Sequence, residues 1–269
     1  DVEKFKDLVH TNDESDWGGS SDQKPEKWWN GIVYVEFETQ DAVSTRPDFV
    51  NPAKSGYGVK LKNGKVIPNP GFSSDKGMTL ATNQMLYVQG HYNADGDLST
   101  GSPTEPDAPG DFAKEGHEAP AALVADSLTF LSEDWDDKDS SSGLNSRKAV
   151  DTEVSAAILT GLVPSGKTGS DRYSGGVENF PRFLEKWSSK DLVIRGSIVA
   201  LFESEVGTRG WGYGDVYGAP GRKWGFNSKF AEGFLPPGTP NTRRYRSIDF
   251  QLVDRATYET RVEEIKNLF

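Results

Sequence analysis

The feature that most limits what this chain can fold into is its punctuation. Short runs rich in β-branched and aromatic residues recur at spacings of roughly 20–30 residues, separated by Gly, Asn, Pro and Asp. Ile32 to Phe37, Tyr57 to Ile67, Met78 to Ala81, Leu86 to Gln89, Val154 to Val163, Leu192 to Phe202 and Tyr245 to Val253 all read as strands. In the first of these, Val33, Val35 and Phe37 share one face and Ile32, Tyr34 and Glu36 the other. Several runs carry one apolar face and no obvious hairpin partner. That pattern predicts a mainly β fold, an irregular β-helix or solenoid-like core with a few short helices. The alternative is a β-sandwich.

Local signals leave some corners open. Asn63-Gly64 between two β runs fits a two-residue hairpin, and equally a solenoid corner. Ala121 to Leu131 is ambiguous: helical spacing runs through Leu123, Ser127, Leu128 and Leu131, while Val124, Thr129 and Phe130 favour strands with a kink near Asp126. Three helices are expected. Val2, Phe5, Leu8 and Val9 share a face near the start, and Val262, Ile265, Leu268 and Phe269 share one at the end. Between them, Glu178 to Trp187 presents Phe180, Phe183, Leu184 and Trp187 at helical spacing, with Glu185 and Lys186 turned to water. Asn93 to Gly116, Ser132 to Arg147 and Thr208 to Phe230 read as long loops. The chain divides into a polar lead-in (1–30), a β-rich domain (31–254) and a C-terminal helix (255–269).

Composition narrows the function. The chain has 269 residues, a net charge of −11 and no cysteine. Disulfides, thiol nucleophiles and Cys-based zinc sites are therefore excluded. Beyond Arg243, Arg244 and Arg246 no basic cluster marks a nucleic-acid face. No apolar run approaches the ~20 residues of a membrane span. The chain opens on Asp1, not Met, and reads as a processed or excised part of a longer protein.

Candidate chemistry is sparse. Two acidic loops could offer calcium hard oxygens: Asn93, Asp95 and Asp97 in one, Asp134, Asp136 and Asp139 in the other. Neither follows the EF-hand pattern, and calcium is the only cofactor these residues suggest. His10, His91 and His117 are scattered. Gly161 to Thr168 (GLVPSGKT) fits the phosphate-loop pattern formally, but Gly169, Ser170 and Asp171 break the helix it needs. Glu178 and Glu185, with Asp126, Asp134 and Asp136, are candidates for paired-carboxylate glycoside chemistry, though no spacing singles out a pair. Asp126 and Arg195 lie inside apolar runs. There they are expected to pair with each other or to be satisfied by backbone or another charge.

Several strings carry a family resemblance: GMTLATNQMLYVQGHYN (77–93), APAALVADSLTFLSEDWDD (119–137), VSAAILTG (154–161), YSGGVENFPRFLEKWSSKDLVIRGSIVALFES (173–204), GAPGRKWGFNSKF (218–230) and LPPGTP (235–240). Together they resemble the C-terminal region of large bacterial surface proteins of the type IV prepilin-like (PilX-type) pilus-assembly kind. The resemblance implies an extracellular or cell-surface, non-enzymatic domain with a structural or adhesive role. Its partners would be other pilus or surface-filament subunits, including copies of itself, and glycans. A β-helix carbohydrate-active enzyme and a calcium-dependent glycan-binding module are the alternatives.

Overall fold

The computed structural model describes residues 1–11, 29–37, 58–70, 77–94, 118–162, 180–207, 216–240 and 254–266. The chain forms two compact units, Asp1–Thr239 and Pro240–Phe269. The first opens with helix α1 (Val2–Thr11), whose Val2 and Val9 are buried. Phe5 of α1 meets Trp29 edge-on at 5.8 Å. The unit then runs through β1 (Ile32–Val35), β2 (Gly58–Gly64), β3 (Met78–Thr82), β4 (Met85–Tyr92), β5 (Ala121–Ala125) and β6 (Ser127–Leu131). After β7 (Thr152–Leu162) come β8 (Arg182–Phe183), β9 (Asp191–Glu203), β10 (Gly221–Phe226) and a short helix α2 (Ser228–Glu232). The second unit holds helix α3 (Arg255–Lys266), whose first turn is capped by Asp254 accepting from the Thr257 N–H at 2.9 Å.

Among the described residues every strand pairing is parallel, and with one exception the partners are not neighbours in sequence. One ladder runs β1-β3-β5-β7-β9-β10. The other runs β2-β4-β6-β8. They touch where Tyr92 pairs with Val154. Parallel partners cannot be joined by a tight turn, so the chain between them must travel. Here it travels through a strand of the other ladder. The corner from β3 to β4 is Asn83-Gln84, and that from β5 to β6 is Asp126 alone.

Register explains the core. Val33, Leu80, Leu123, Ile158 and Ile198 stand in one row across the first ladder. Leu61, Val88, Phe130 and Phe183 make the matching row in the second. Leu80, Leu123, Ile158, Leu61, Val88, Phe130 and Phe183 are all buried. Like side chains stacked at strand spacing exclude water without gaps, at roughly 25 cal/mol per Å² of apolar surface.

Several expectations from the sequence need correction. Asn63-Gly64 makes no hairpin: it ends β2, which pairs in parallel with β4. Asn63 takes φ 57° there, in the left-handed region. The antiparallel pairing that a β-sandwich requires is absent among the described residues. No helix forms over residues 180–187; burial alternates, with Pro181, Phe183, Glu185 and Trp187 inward. Arg182 and Phe183 pair with Thr129 and Phe130, and Lys186 bridges Lys148 and Gly218. Cross-strand partners therefore override the helical spacing. Glu185, expected in water, is 1% exposed. The loop expected over Thr208 to Phe230 contains β10, and Ser132 to Arg147 contains two 3-10 turns, Asp137–Ser141 and Leu144–Ser146. The kink at Asp126 stands as read. The strand expected at Tyr245 to Val253 and the long loop from Asp95 onward lie outside the described residues, as do residues 163–168 of the phosphate-loop match.

Among the described residues no helix is long and apolar enough to cross a membrane.

Candidate functional site

Three buried polar centres and one open groove concentrate the molecule's chemistry. The first centre surrounds Arg195, which β9 turns inward, 1% exposed. Its guanidinium lies 2.8 Å from Glu153 on β7 and 3.4 Å from Glu118, which also accepts from the Ser155 hydroxyl. Two carboxylates thus flank one cation in the core, where a charge persists only when paired. The Glu153 N–H donates to His91 Nδ1 at 3.1 Å, which leaves the neutral ring's proton on Nε2. Beside this centre stands Asn93, at φ 52°. Its carboxamide accepts from the Ala119 N–H at 2.9 Å and donates to the Ala119 and Ser155 carbonyls at 2.7 and 2.8 Å. Asn93 therefore ties β4 to the start of β5 and to β7. It spends its oxygen on backbone.

The second centre is Asp126. Its Oδ1 accepts from the Glu205 and Val206 N–H groups at 2.6 and 3.1 Å, and Oδ2 from Gly207 at 2.7 Å. Its carbonyl accepts from Gly161 N–H and from the Thr160 and Ser204 hydroxyls. One corner residue so holds the ends of β7 and β9. Arg182 donates to the Gly207 carbonyl from the other side, and burial pushes its guanidinium pKa down to about 10. Asp126 and Arg195 do not pair with each other: backbone satisfies the one and two carboxylates the other.

The third centre is Glu185. Its two oxygens accept from the Ser132 N–H and hydroxyl, both at 2.6 Å. Burial pushes its pKa up, and the two Ser132 bonds pull the other way. Around it Phe183 meets Trp187 edge-on at 5.7 Å and Tyr217 at 5.8 Å, and Phe180 is buried nearby in the same core.

The groove, of about 820 Å³, runs beside β2 and β4 and is walled by Lys60, Lys62, Asp134, Trp135, Asp136 and Asp137 among others. Lys60 Nζ and Trp135 Nε1 both donate to Asp137, at 2.8 and 2.7 Å, and hold its carboxyl below the usual range. Asp136 caps the 3-10 turn by accepting from Lys138 N–H at 3.0 Å, and Asp139 accepts from Ser142 Oγ at 3.4 Å. Among the described residues no three His, Cys, Asp or Glu side chains gather at metal-holding distance. Asp95, Asp97 and Glu178 lie outside the described residues.

Of the residues singled out in the sequence, Asp126, Arg195, Phe180, Phe183 and Trp187 are buried. Sequence reasoning missed Glu118, Glu153, Ser132 and the burial of Glu185. Arg195 inside an apolar strand did announce a carboxylate partner, and Glu153, just before the apolar run at Val154, was the signal available.

Compared with known proteins, the chain matches no family model, no curated protein and no solved structure.

Proposed function

We propose that this chain is a non-enzymatic structural or adhesive domain of an extracellular pilus-related or surface-filament protein, built as a β-helix. One observation carries the β-helix reading: successive strands alternate between two parallel ladders, so each circuit of the chain stacks on the one before. The polar centres fit a structural role. The oxygens of Asn93 and Asp126 are spent on backbone N–H groups, those of Glu185 on Ser132, and Arg195 on its carboxylates. The resemblance of residues 77–93 and 173–204 to prepilin-like surface proteins supplies the location. The groove beside β2 and β4 is the adhesive face in this reading, with glycans as its ligand class. Immunogold labelling of the producing cells with antibody to this chain should decorate surface filaments. Label confined to the cell interior would reject the proposal.

The groove's carboxylates favour one second reading, a carbohydrate-active enzyme. New reducing ends released from soluble polysaccharides, and lost in Asp134→Asn or Asp136→Asn, would establish it.

A further inference from the structure

The free edges of the two ladders are not alike. Strands left with an open edge are prone to pair with other chains, and proteins blunt them with Lys, Arg or Pro. Among the described pairings β2 and β10 each have one partner, and they carry Lys60 and Lys62, and Arg222 and Lys223. β1 (IVYV) pairs only with β3 and carries no charge. Among the described pairings β9 is covered by β10 only over Asp191 to Gly196, and Ser197 to Phe202 pair with β7 alone. That stretch has no Lys, Arg or Pro. Among the described residues of the first unit, every exposed large apolar side chain but Leu8 belongs to β1, β9 or β10; Tyr34 is 58% and Leu201 59% exposed.

These two unguarded edges occupy the same column of the ladder. Following the register, Ile32 aligns with Thr79, Ala122, Ala157 and Ser197, and Tyr34 with Ala81, Val124, Leu159 and Val199. Their backbone groups also match. Thr79 N–H donates to the Gly31 carbonyl, so Gly31, Val33 and Val35 face β3, and Ile32 and Tyr34 face outward. Asn227 N–H donates to the Gly196 carbonyl, so Gly196, Ile198 and Ala200 face away from β7. In a parallel pair an outward residue lies opposite one turned the other way, and bonds to the two flanking it. Ile198 would then lie opposite Val33, between Ile32 and Tyr34. The first possible bond, Ile32 N–H to the Gly196 carbonyl, is the one already closed on both sides. Asn30 takes the Ile32 N–H at 2.9 Å and Asn227 fills the Gly196 carbonyl at 3.0 Å. The next three are open: Ile198 N–H to Ile32, Tyr34 N–H to Ile198, and Ala200 N–H to Tyr34.

We infer that the occupant of the β9 edge is β1 of a second copy of this chain, added in the same register and direction, so that copies stack head to tail. The inference rests on the β-helix and surface-filament reading. It continues the β7–β9 ladder, and it extends the inward row Leu80, Leu123, Ile158, Ile198 by the partner copy's Val33. The contact is heterologous and does not close on itself, so it propagates as a filament. A four-residue strand alone falls short of the ~800 Å² per partner of a standard interface. Leu201, Phe202 and Phe226 add apolar surface beside it, and the isolated chain is expected to associate at high concentration only.

The test uses the absence of native cysteine. Within one copy Tyr34 and Val199 are separated by four strand spacings, about 19 Å, far beyond disulfide reach. Across the proposed junction they sit at about 4.8 Å, inside the disulfide range. Both are exposed, so substitution spares the core. The full chain with Tyr34→Cys and Val199→Cys, mildly oxidised, should give a ladder of multimers on a non-reducing gel that collapses with reductant. A Tyr34→Cys, Arg222→Cys control should give at least tenfold less. No ladder, or an equal ladder from the control, overturns the inference. Tyr34→Pro and Ala200→Pro each remove one of the outward N–H groups. Mixed equimolar, and shown folded by circular dichroism, they should form a dimer that grows no further, because one open end survives on each. Absence of that dimer also counts against stacking. A failed trap with filament labelling intact removes self-stacking alone; interior labelling removes the surface reading whatever the trap shows.

Discussion

Removing the Asp126 carboxylate by Asp126→Ala should destabilise the first unit by about 3–4 kcal/mol. Three N–H groups lose a charged acceptor, each such bond being worth about 1.5–3 kcal/mol. The sum overstates the cost, because Glu205 is exposed and water can replace the carboxylate there. Val206 is half-buried and Gly207 buried, so their N–H groups are left unpaired at about 1–3 kcal/mol apiece. The carbonyl of residue 126 still accepts from Gly161, Thr160 and Ser204 in the variant, so the β5–β6 corner itself survives. Asp126→Asn keeps Oδ1 for Glu205 and Val206 but sets an NH₂ against Gly207, and should cost roughly half as much. Urea unfolding gives the free energies, and hydrogen exchange at 205–207 localises the loss. A cost below ~1 kcal/mol for the alanine variant, with Gly207 protection unchanged, would refute the reasoning.

Three further outcomes follow from the same structure. Glu185 has a raised pKa, so its neutral form favours the fold; the stability it contributes is full below the unfolded pKa and is lost as pH rises through the folded one. Glu185→Gln, measured against the parent by thermal melts from pH 4 to pH 8, should therefore gain relative stability as pH rises; a flat or falling difference would contradict this. Gly196→Ala would drive a Cβ into the Ala156 carbonyl, so β7 and β9 must part and the melting temperature should fall by many degrees, which a scanning melt reads directly. Asn93→Asp cannot donate to the Ala119 and Ser155 carbonyls, and should cost more than 2 kcal/mol in urea unfolding; parity with the parent would show that the bracing is dispensable.

The strands were legible because their alternation is local. Ile32 to Phe37 and Met78 to Ala81 announce their faces within six residues. Asp126 and Arg195 stood out as charges in apolar company. What failed is whatever depends on a distant partner. Phe180, Phe183 and Trp187 have helical spacing in isolation, yet Thr129, Phe130, Lys148 and Gly218 recruit that segment into the sheet. Glu185 looked like a surface residue because its acceptor role is set by Ser132, 53 positions earlier. Gly221 to Phe226, with two glycines and two charges in six residues, gives no strand signal of its own; β9 supplies it.

The alternating pairing also sets how the chain must come together in time. Partners within a ladder are separated by as many as 53 positions, as between Thr129 and Arg182, and by 27 even between Gly58 and Met85. From β1 to β9, no strand can pair with the next of its ladder until a strand of the other ladder has been laid down between them. High contact order of this kind slows folding to the millisecond-to-second range or beyond and leaves unmated strands exposed meanwhile. Once one pair has closed, each further strand needs only the last of its ladder as a template, so growth is sequential. Synthesis from the N-terminus supplies the strands of each ladder in that order, and refolding from denaturant, where all compete at once, should be the slower and more aggregation-prone route.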